Sequence, residues 1–297
     1  MKIALSLTAA ALALGASPTA QAELVYGITG GSAGGSLVSF DSATPGTVTT
    51  VGSLSGVLSG HAVRAIDFRP ATGQLYALSH NGAAGQVYTV NLTSGALTTV
   101  GAGFSFAASP SSRISMDFNP VVDRIRIVTG DTQNLRVHPG TGALVLNDTA
   151  LAYDAGDANA GAPAFVVGAA YTNNFAGATS TSLYAYDFNL DNLVTIGNIG
   201  GAPNSPNTGK MFSVGLSGLV TSDGGVGMDI SRTSATAYLS YNDGGERFGT
   251  LNLATGAVTS VGAVPLDLLD ISVVIPAPST FGLAGVVGLG ALGRRRR

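Results

Sequence analysis

Cysteine is absent from the 297 residues, which excludes disulfides and thiolate metal sites and leaves burial of a core as the source of stability. Histidine occurs three times, as His61, His80 and His138. A zinc centre would need these widely spaced rings to converge without thiol partners, so surface or turn roles are the plainer reading. Charged residues make up only 10% of the chain, against 45% hydrophobic, a balance too apolar for disorder. The abundant Gly, Ser, Thr and Asn then read as a neutral, β-rich exterior. No arrangement of nucleophile and base, and no cofactor fingerprint in its proper context, stands out.

The two ends differ from everything between them. Lys2, an apolar run at 3–14 and Ala20-Gln21-Ala22 before Glu23 have the three regions of a secretory signal peptide, with cleavage by signal peptidase expected after Ala22. At the other end Ile275-Pro276-Ala277-Pro278-Ser279 leads into a glycine-rich apolar run at 281–293 and then four arginines, 294–297. Thirteen residues make a helix of about 20 Å, short of the roughly 30 Å hydrocarbon core, so this is a marginal membrane stop. The arginines would stay on the cytoplasmic side, leaving the globular part outside. The tail resembles the PEP-CTERM sorting signal of bacterial exosortase substrates, with Ala277 where the glutamate of Pro-Glu-Pro would stand. That resemblance implies processing at Pro276, Ala277, Pro278 and Ser279 by an exosortase-like enzyme, transient membrane contact through the tail, and release to the cell envelope or extracellular matrix.

Without these ends the body, residues 23–274, keeps nine basic and seventeen acidic side chains, a net charge of −8, and Lys210 is its only lysine. Such a surface repels phosphate backbones, so no nucleic-acid partner is expected.

Repetition organises the body. One phrase is a strand, a turn of the Thr-x-Gly kind and a second strand closing on a β-branched residue plus glycine. It runs over 36–52, 87–101, 183–197 and 249–262, with a fifth copy at 134–145 that has lost the closing Val-Gly. A second phrase precedes most of these: Ile66-Asp67-Phe68-Arg69-Pro70, Met116-Asp117-Phe118-Asn119-Pro120 and Met228-Asp229-Ile230, each followed by a further apolar run. Both alternate apolar and polar residues, the period of half-buried strands. Four strands per unit predict an all-β fold, a β-propeller of five four-stranded blades. The first unit lacks its opening strand, and a stray copy, Leu269-Asp270-Ile271-Ser272, lies at the far end. Pairing of this C-terminal strand with the N-terminal blade would close the ring and remove an open sheet edge. Inserts at 102–112 and 198–225 have room for extra strands.

The phrases from Asp67 to Tyr76, Asp117-Phe118-Asn119-Pro120 with Val122-Asp123-Arg124-Ile125-Arg126, Gln133-Asn134-Leu135-Arg136, and Gly168-Ala169-Ala170-Tyr171-Thr172-Asn173-Asn174-Phe175 resemble an uncharacterised bacterial secreted family, domain of unknown function 4394. The resemblance covers nearly all of 24–274 and implies a secreted, propeller-like domain without assigned catalytic residues.

Two motif matches fail on context. Gly30-Gly31-Ser32-Ala33-Gly34 spells a serine-hydrolase elbow, yet no helical pattern follows it. The dinucleotide-like glycines at 288–293 lie inside the tail with no βαβ unit. Two constellations remain. Asp154, Asp157 and Asn159, spaced by glycines and alanines, could wrap a calcium ion, or else cap their own loop as Asx-turns. Arg124, Arg126 and Arg136, with Arg113, crowd the middle unit. Arg124 and Arg126 share one strand face, opposite Ile125 and Ile127. Ion pairing with Asp123, Asp131 or Asp148 is one reading, and a pocket for an anionic ligand such as a uronic acid or sulfated sugar is the other. The recurring Asp67, Asp117, Asp229 and Asp270 read as equivalent positions with a task in each blade, binding a neighbouring backbone, with a cation in a central channel as the alternative.

The sequence thus points to a secreted binding or structural protein of the envelope or extracellular polysaccharide matrix, without a required cofactor. The alternative is a propeller hydrolase or lyase acting on exported polysaccharide, since this architecture supports both.

Overall fold

Each recurring phrase folds as an antiparallel pair of strands, and the pairs assemble into five sheets. The computed structural model describes residues 22–30, 35–109, 112–221 and 225–275. The leader before Ala22 and the tail motif Pro276, Ala277, Pro278 and Ser279 lie outside the described residues.

Blade one contains β1 (Leu24–Thr29), β2 (Ser36–Asp41) and β3 (Thr49–Ser53), and blade two β4 (Ala62–Arg69), β5 (Gln74–His80), β6 (Ala84–Val90) and β7 (Leu97–Ser105). Blade three follows with β8 (Ile114–Asn119), β9 (Arg124–Thr129), β10 (Asn134–Val137) and β11 (Leu144–Asn147). A two-residue strand, β12 (Ala152–Tyr153), leads to blade four: β13 (Val166–Tyr171), β14 (Leu183–Asp187), β15 (Asn192–Ile196) and β16 (Lys210–Leu216). Blade five is β17 (Gly227–Ile230), β18 (Ala237–Asn242), β19 (Glu246–Leu251) and β20 (Val258–Ala263). The last strand, β21 (Leu268–Val273), returns to blade one and pairs with β1, setting Val25 opposite Val273 and Gly27 opposite Ile271. The ring is closed by the two ends of the domain, as the stray C-terminal copy predicts. The innermost strands β21, β4, β8, β13 and β17 pack side by side in that order and back to β21.

Blade four departs from the simple repeat. Its copy of the recurring hairpin, β14–β15, occupies the second and third places in the sheet, and the insert at 198–225 supplies the outer strand β16. β12 then adds to β16 in parallel, making this sheet five-stranded. A register shift between the third and fourth strands recurs in every blade, at Leu37/Val38, Gly85/Val87, Arg136/Val137, Leu193/Val194 and Phe248/Gly249. Such bulges steepen the twist that each blade needs as it moves away from the axis. Among the described residues the only helical pieces are two 3-10 turns, Ile199–Gly201 and Pro206–Thr208.

The core is divided among the five blade interfaces. Between blades one and two Tyr26 meets Phe68 edge-on, between two and three Tyr76 meets Phe118, and between five and one Phe248 meets Phe40. Each blade is sandwiched, which is why middle strands such as β14 (Leu183–Asp187) and β15 (Asn192–Ile196) are buried along their whole length. The repeated glycines have a packing cause. Gly101, closing blade two, lies against the Thr141-Gly142 turn of blade three so tightly that a Cβ on Gly101 would sit 1.8 Å from the Thr141 oxygen. Gly215 and Gly256 meet in the same way between blades four and five. A turn glycine and a closing glycine are thus two halves of one contact between neighbouring blades.

Candidate functional site

The axis is lined by the innermost strands, and their recurring acids form a bonded ring. The Phe118 amide donates to Asp67 Oδ2 at 2.8 Å, the Tyr171 amide to Asp117 Oδ1 at 3.1 Å and the Val273 amide to Asp229 Oδ2 at 2.6 Å. In each case a carboxylate of one blade holds the amide that follows the equivalent position of the next. That geometry corrects the set of equivalents read from the sequence. Blade one places Ser272 there, whose hydroxyl accepts the Phe68 amide at 3.2 Å, and blade four places Ala170. Asp270 stands two residues earlier and accepts the Ile66 amide at 2.9 Å, as Ser115 accepts that of Ala169. The Leu-Asp-Ile spelling matches the repeat by letter, whereas backbone pairing with β1 sets the register.

Asp67, Asp117 and Asp229 offer oxygens within 4.8 Å of one another, and none of the three is more than 3% exposed. Burial, and then mutual repulsion, pushes the Asp67 and Asp117 carboxyls well above the usual carboxylate range, and burial pushes Asp229 up to about 7. Hydrogen-bond counting requires the same thing. The Ser272 hydroxyl lies 3.0 Å from Asp67 Oδ1 and 3.1 Å from Asp229 Oδ2 while accepting the Phe68 amide. One hydroxyl has one hydrogen to give. The second contact is a bond only if one of the two acids carries a proton and donates it to Ser272. Asp67, Ser272 and Asp229 are therefore a proton-sharing knot sealed from solvent, and Asp117 lies against it with Oδ1 engaged by the Tyr171 amide.

Three of the four arginines singled out in the sequence come together in a recess of about 350 Å³ between blades three and four, while Arg113 lies near Arg64 of blade two. Arg124, Arg126 and Arg136 all line it, with Asn119, Asn207 and Tyr171 among the polar groups and Val122, Val145 and Pro206 as apolar wall. Alternation along β9 sends Ile125 and Ile127 into the core and both arginines of that strand to the recess. Arg126 is only 3% exposed and fully engaged: Nη1 donates to Asp148 Oδ2 and Asn134 Oδ1, Nη2 to Asn207 Oδ1, each at 2.6 Å, and Nε to the Tyr171 hydroxyl at 3.3 Å. Burial works against its charge, but Tyr171 and Asp148 outweigh it and hold its pKa above the usual value. Arg136 grips the same Asp148 through both carboxylate oxygens, at 2.7 and 2.8 Å. Two guanidinium groups thus share one carboxylate.

Arg124 has no carboxylate partner among the described residues; its Nη1 donates to the backbone oxygens of Val122 and Asp123. Asp123 instead bridges to Arg69 of blade two at 2.5 Å, and Asp131 accepts the Ser109 amide. Against three arginines the recess therefore has one balancing carboxylate. Asn207 and Pro206 come from the insert before β16 and had no signal in the repeat pattern; the extra length of that insert was the only hint.

The aspartate loop after β12 lies on blade four. Asp154 Oδ1 accepts the Gly156 amide at 3.0 Å, and its Oδ2 pairs with Lys210 Nζ at 2.9 Å. Asp157 accepts the Asn159 amide and both the amide and hydroxyl of Ser213, while Asn159 Nδ2 donates to Ser213 Oγ. The carboxylates face their own backbone and an ammonium group. His61 bonds Ser79 through Nδ1 and His80 contacts Gly82 and Phe106 through its two nitrogens, so these two rings are neighbours on blade two, while His138 accepts the Gly140 amide in blade three.

With this geometry in view, comparison with known proteins is informative about family and fold. Residues 36–272 match the family described as a domain of unknown function (DUF4394), and the chain belongs to that family. No curated protein matches. Among solved structures the chain is similar to an engineered GH43 glycoside hydrolase with endo-xylanase and exo-arabinofuranosidase activity, at 11% identity and a TM-score of 0.50, covering 88% of this chain and 55% of that one. It is also similar to a protein of unknown function from Bacteroides thetaiotaomicron (15% identity, TM-score 0.48, 84% and 60% covered). A putative 6-phosphogluconolactonase from Bacteroides uniformis matches at 14% identity and a TM-score of 0.44, with 83% of each chain covered. At that identity the likeness to the GH43 enzyme speaks for a similar fold alone.

Proposed function

For this member of the DUF4394 family we propose a binding role outside the cytoplasm, in which the propeller holds an acidic sugar of the envelope or extracellular polysaccharide matrix in the recess between blades three and four. The observation that carries the reading is the charge imbalance there: Arg124, Arg126 and Arg136 against Asp148 alone. A uronic acid or sulfated sugar supplies the missing negative charge, and Val122, Val145 and Pro206 offer apolar surface to the carbon face of a pyranose. Asp148 preorganises two of the arginines, so little side-chain freedom is lost on binding. Export rests on the leader ending at Ala22 and the tail from Pro276, handled by signal peptidase and an exosortase-like enzyme. In the exported chain Glu23 would be the first residue. Its carboxylate is fastened to blade five by Ser231, Ser234 and Tyr238.

A hydrolase or lyase reading finds less support. The convergent acids Asp67, Asp117 and Asp229 are sealed inside the axis, and Asp148 is neutralised by two arginines. Tyr171 is fully buried and its hydroxyl is taken by Arg126.

Isothermal titration with a uronic-acid trisaccharide, a sulfated trisaccharide and a neutral one tests the role. The acidic ligands should bind, weaken as salt is raised, and lose about tenfold in affinity in Arg124→Gln, the equivalent of one charge-assisted hydrogen bond. Equal binding of the neutral sugar, or no binding of either acidic one at low salt, would refute it.

A further inference from the structure

A second recess opens where the innermost strands begin. It has a volume of about 170 Å³ and is lined by Gly60, Arg64, His80, Asn81, Gly82 and Ser109. Arg64 lies near the start of β4 and Ser109 just before β8, whereas the arginine recess lies beside Asn119, the last residue of β8. The amide contacts from Asp67 to Phe118 and from Asp117 to Tyr171 keep one offset, so these strands run in one direction around the axis. The two recesses therefore open at opposite mouths of the propeller, separated by about 20 Å, the length of a six-residue strand.

Arg64 is half-buried, and its Nη2 donates to the Ser112 backbone oxygen at 2.7 Å. A guanidinium carries five donors, so most of its capacity is unspent. No carboxylate pairs with it among the described residues; Arg113 is a second cation nearby, His80 is held neutral by burial, and Asp131 is occupied by the Ser109 amide. Burial, and then Arg113, draws the Arg64 pKa below the usual arginine value, as befits a cation without a counter-ion. Of the side chains beside it, Asn81 is the one left with a donor to spare. His80 Nδ1 accepts the Gly82 amide, which leaves its Nε2 hydrogen for the Phe106 oxygen. Asn81 Oδ1 accepts the Ala83 and Ala84 amides at 3.0 and 2.8 Å, which leaves the Nδ2 end of that side chain as a donor. Gly60 and Gly82 have no atom within 4 Å of where a side chain would begin, so the approach is unobstructed.

We propose that this recess binds a single oxyanion, sulfate or phosphate, held by the Arg64 guanidinium with the Asn81 amide beside it. The volume is about half that of the arginine recess, which suits a single charged group. The site is independent of the acidic-sugar recess, since the two share no residue. An oxyanion carried on a polymer would add a second point of attachment on the opposite face.

Titration of the purified protein with inorganic sulfate and phosphate at low ionic strength, against a chloride control, tests the site. The titration is made in an Arg124→Gln background, so that the sugar recess is weakened, and one saturable event is expected, with at least a tenfold loss when Arg64→Gln is added. Should Arg64→Gln fail to fold, Ser109→Glu serves, because it places a carboxylate beside Arg64; it should abolish anion binding while keeping or raising the melting temperature. A sulfated oligosaccharide that binds more tightly than free sulfate, and depends on Arg64, assigns the site to a pendant group, and equal binding assigns it to the free ion. No saturable binding above chloride, or unchanged binding in both Arg64→Gln and Ser109→Glu, would overturn the proposal.

Discussion

Raising the pH should destabilise this protein from the inside. Asp229 has a folded-state pKa of about 7 because it is buried in the axial ring, against about 3.9 for an aspartate in an unfolded chain. Between those values the folded form keeps a proton that the unfolded form has released. Stability is then fully present below the unfolded value, falls as the pH rises through the window, and levels off above the folded value. A span of about three pH units at about 1.36 kcal/mol each gives a loss on the order of 4 kcal/mol from Asp229 alone. Asp67, Asp117 and Asp270 are displaced in the same direction, chiefly by burial, and the charges that act on the four are other carboxylates. Against a typical total of about 5–15 kcal/mol, such a loss is easily measured.

Urea unfolding followed by tyrosine fluorescence between pH 4.5 and 9 reads it directly. Asp117→Asn is the decisive variant, because its amide oxygen keeps the bond from the Tyr171 amide while the titrating group is gone. It should be more stable than the parent at pH 8.5 and close to it at pH 4.5, where Asp117 is already protonated. A parent whose stability is flat or rising from pH 4.5 to 8.5, together with an Asp117→Asn variant showing no alkaline gain, would refute a ring that shares protons.

Three further outcomes follow from the same structure. Gly142→Ala places a side chain at a φ of +62° and 2.0 Å from the Val100 oxygen, so a loss of about 2–4 kcal/mol is expected in urea unfolding. Ending the chain before Leu268 removes the strand that pairs with β1 and packs against both β4 and β17; the product should lose cooperative unfolding by calorimetry. Chelation with EDTA should leave the melting temperature unchanged, because Asp154 and Asp157 are bound by Lys210, Ser213 and their own loop amides, and a fall of several degrees that calcium restores would contradict this.

The propeller was legible because its cause is local and repeated. Alternation in segments such as Leu75-Tyr76-Ala77-Leu78 specifies strands, and the spacing of Gly52, Gly101 and Gly262 marks where one blade ends against the next. Blade four was read less well, since its outer strand β16 lies beyond the closing glycine, in the insert, and repeats nothing. Arg124, Arg126 and Arg136 could be put forward from their clustering and the face they share. Their partners Tyr171 and Asn207 could not, as they are 45 and 81 positions from Arg126 in the chain.

From the sequence alone came the strands, their grouping in fours and the closure of the ring by its two ends, because backbone pairing and side-chain alternation are written within a few residues. Only the tertiary structure decided which charges meet: that Asp148 serves two arginines, that no carboxylate among the described residues answers Arg64, and that Ser272 takes the place assigned to Asp270. Electrostatic balance depends on distances across blades, and those distances exist only once the ring has closed.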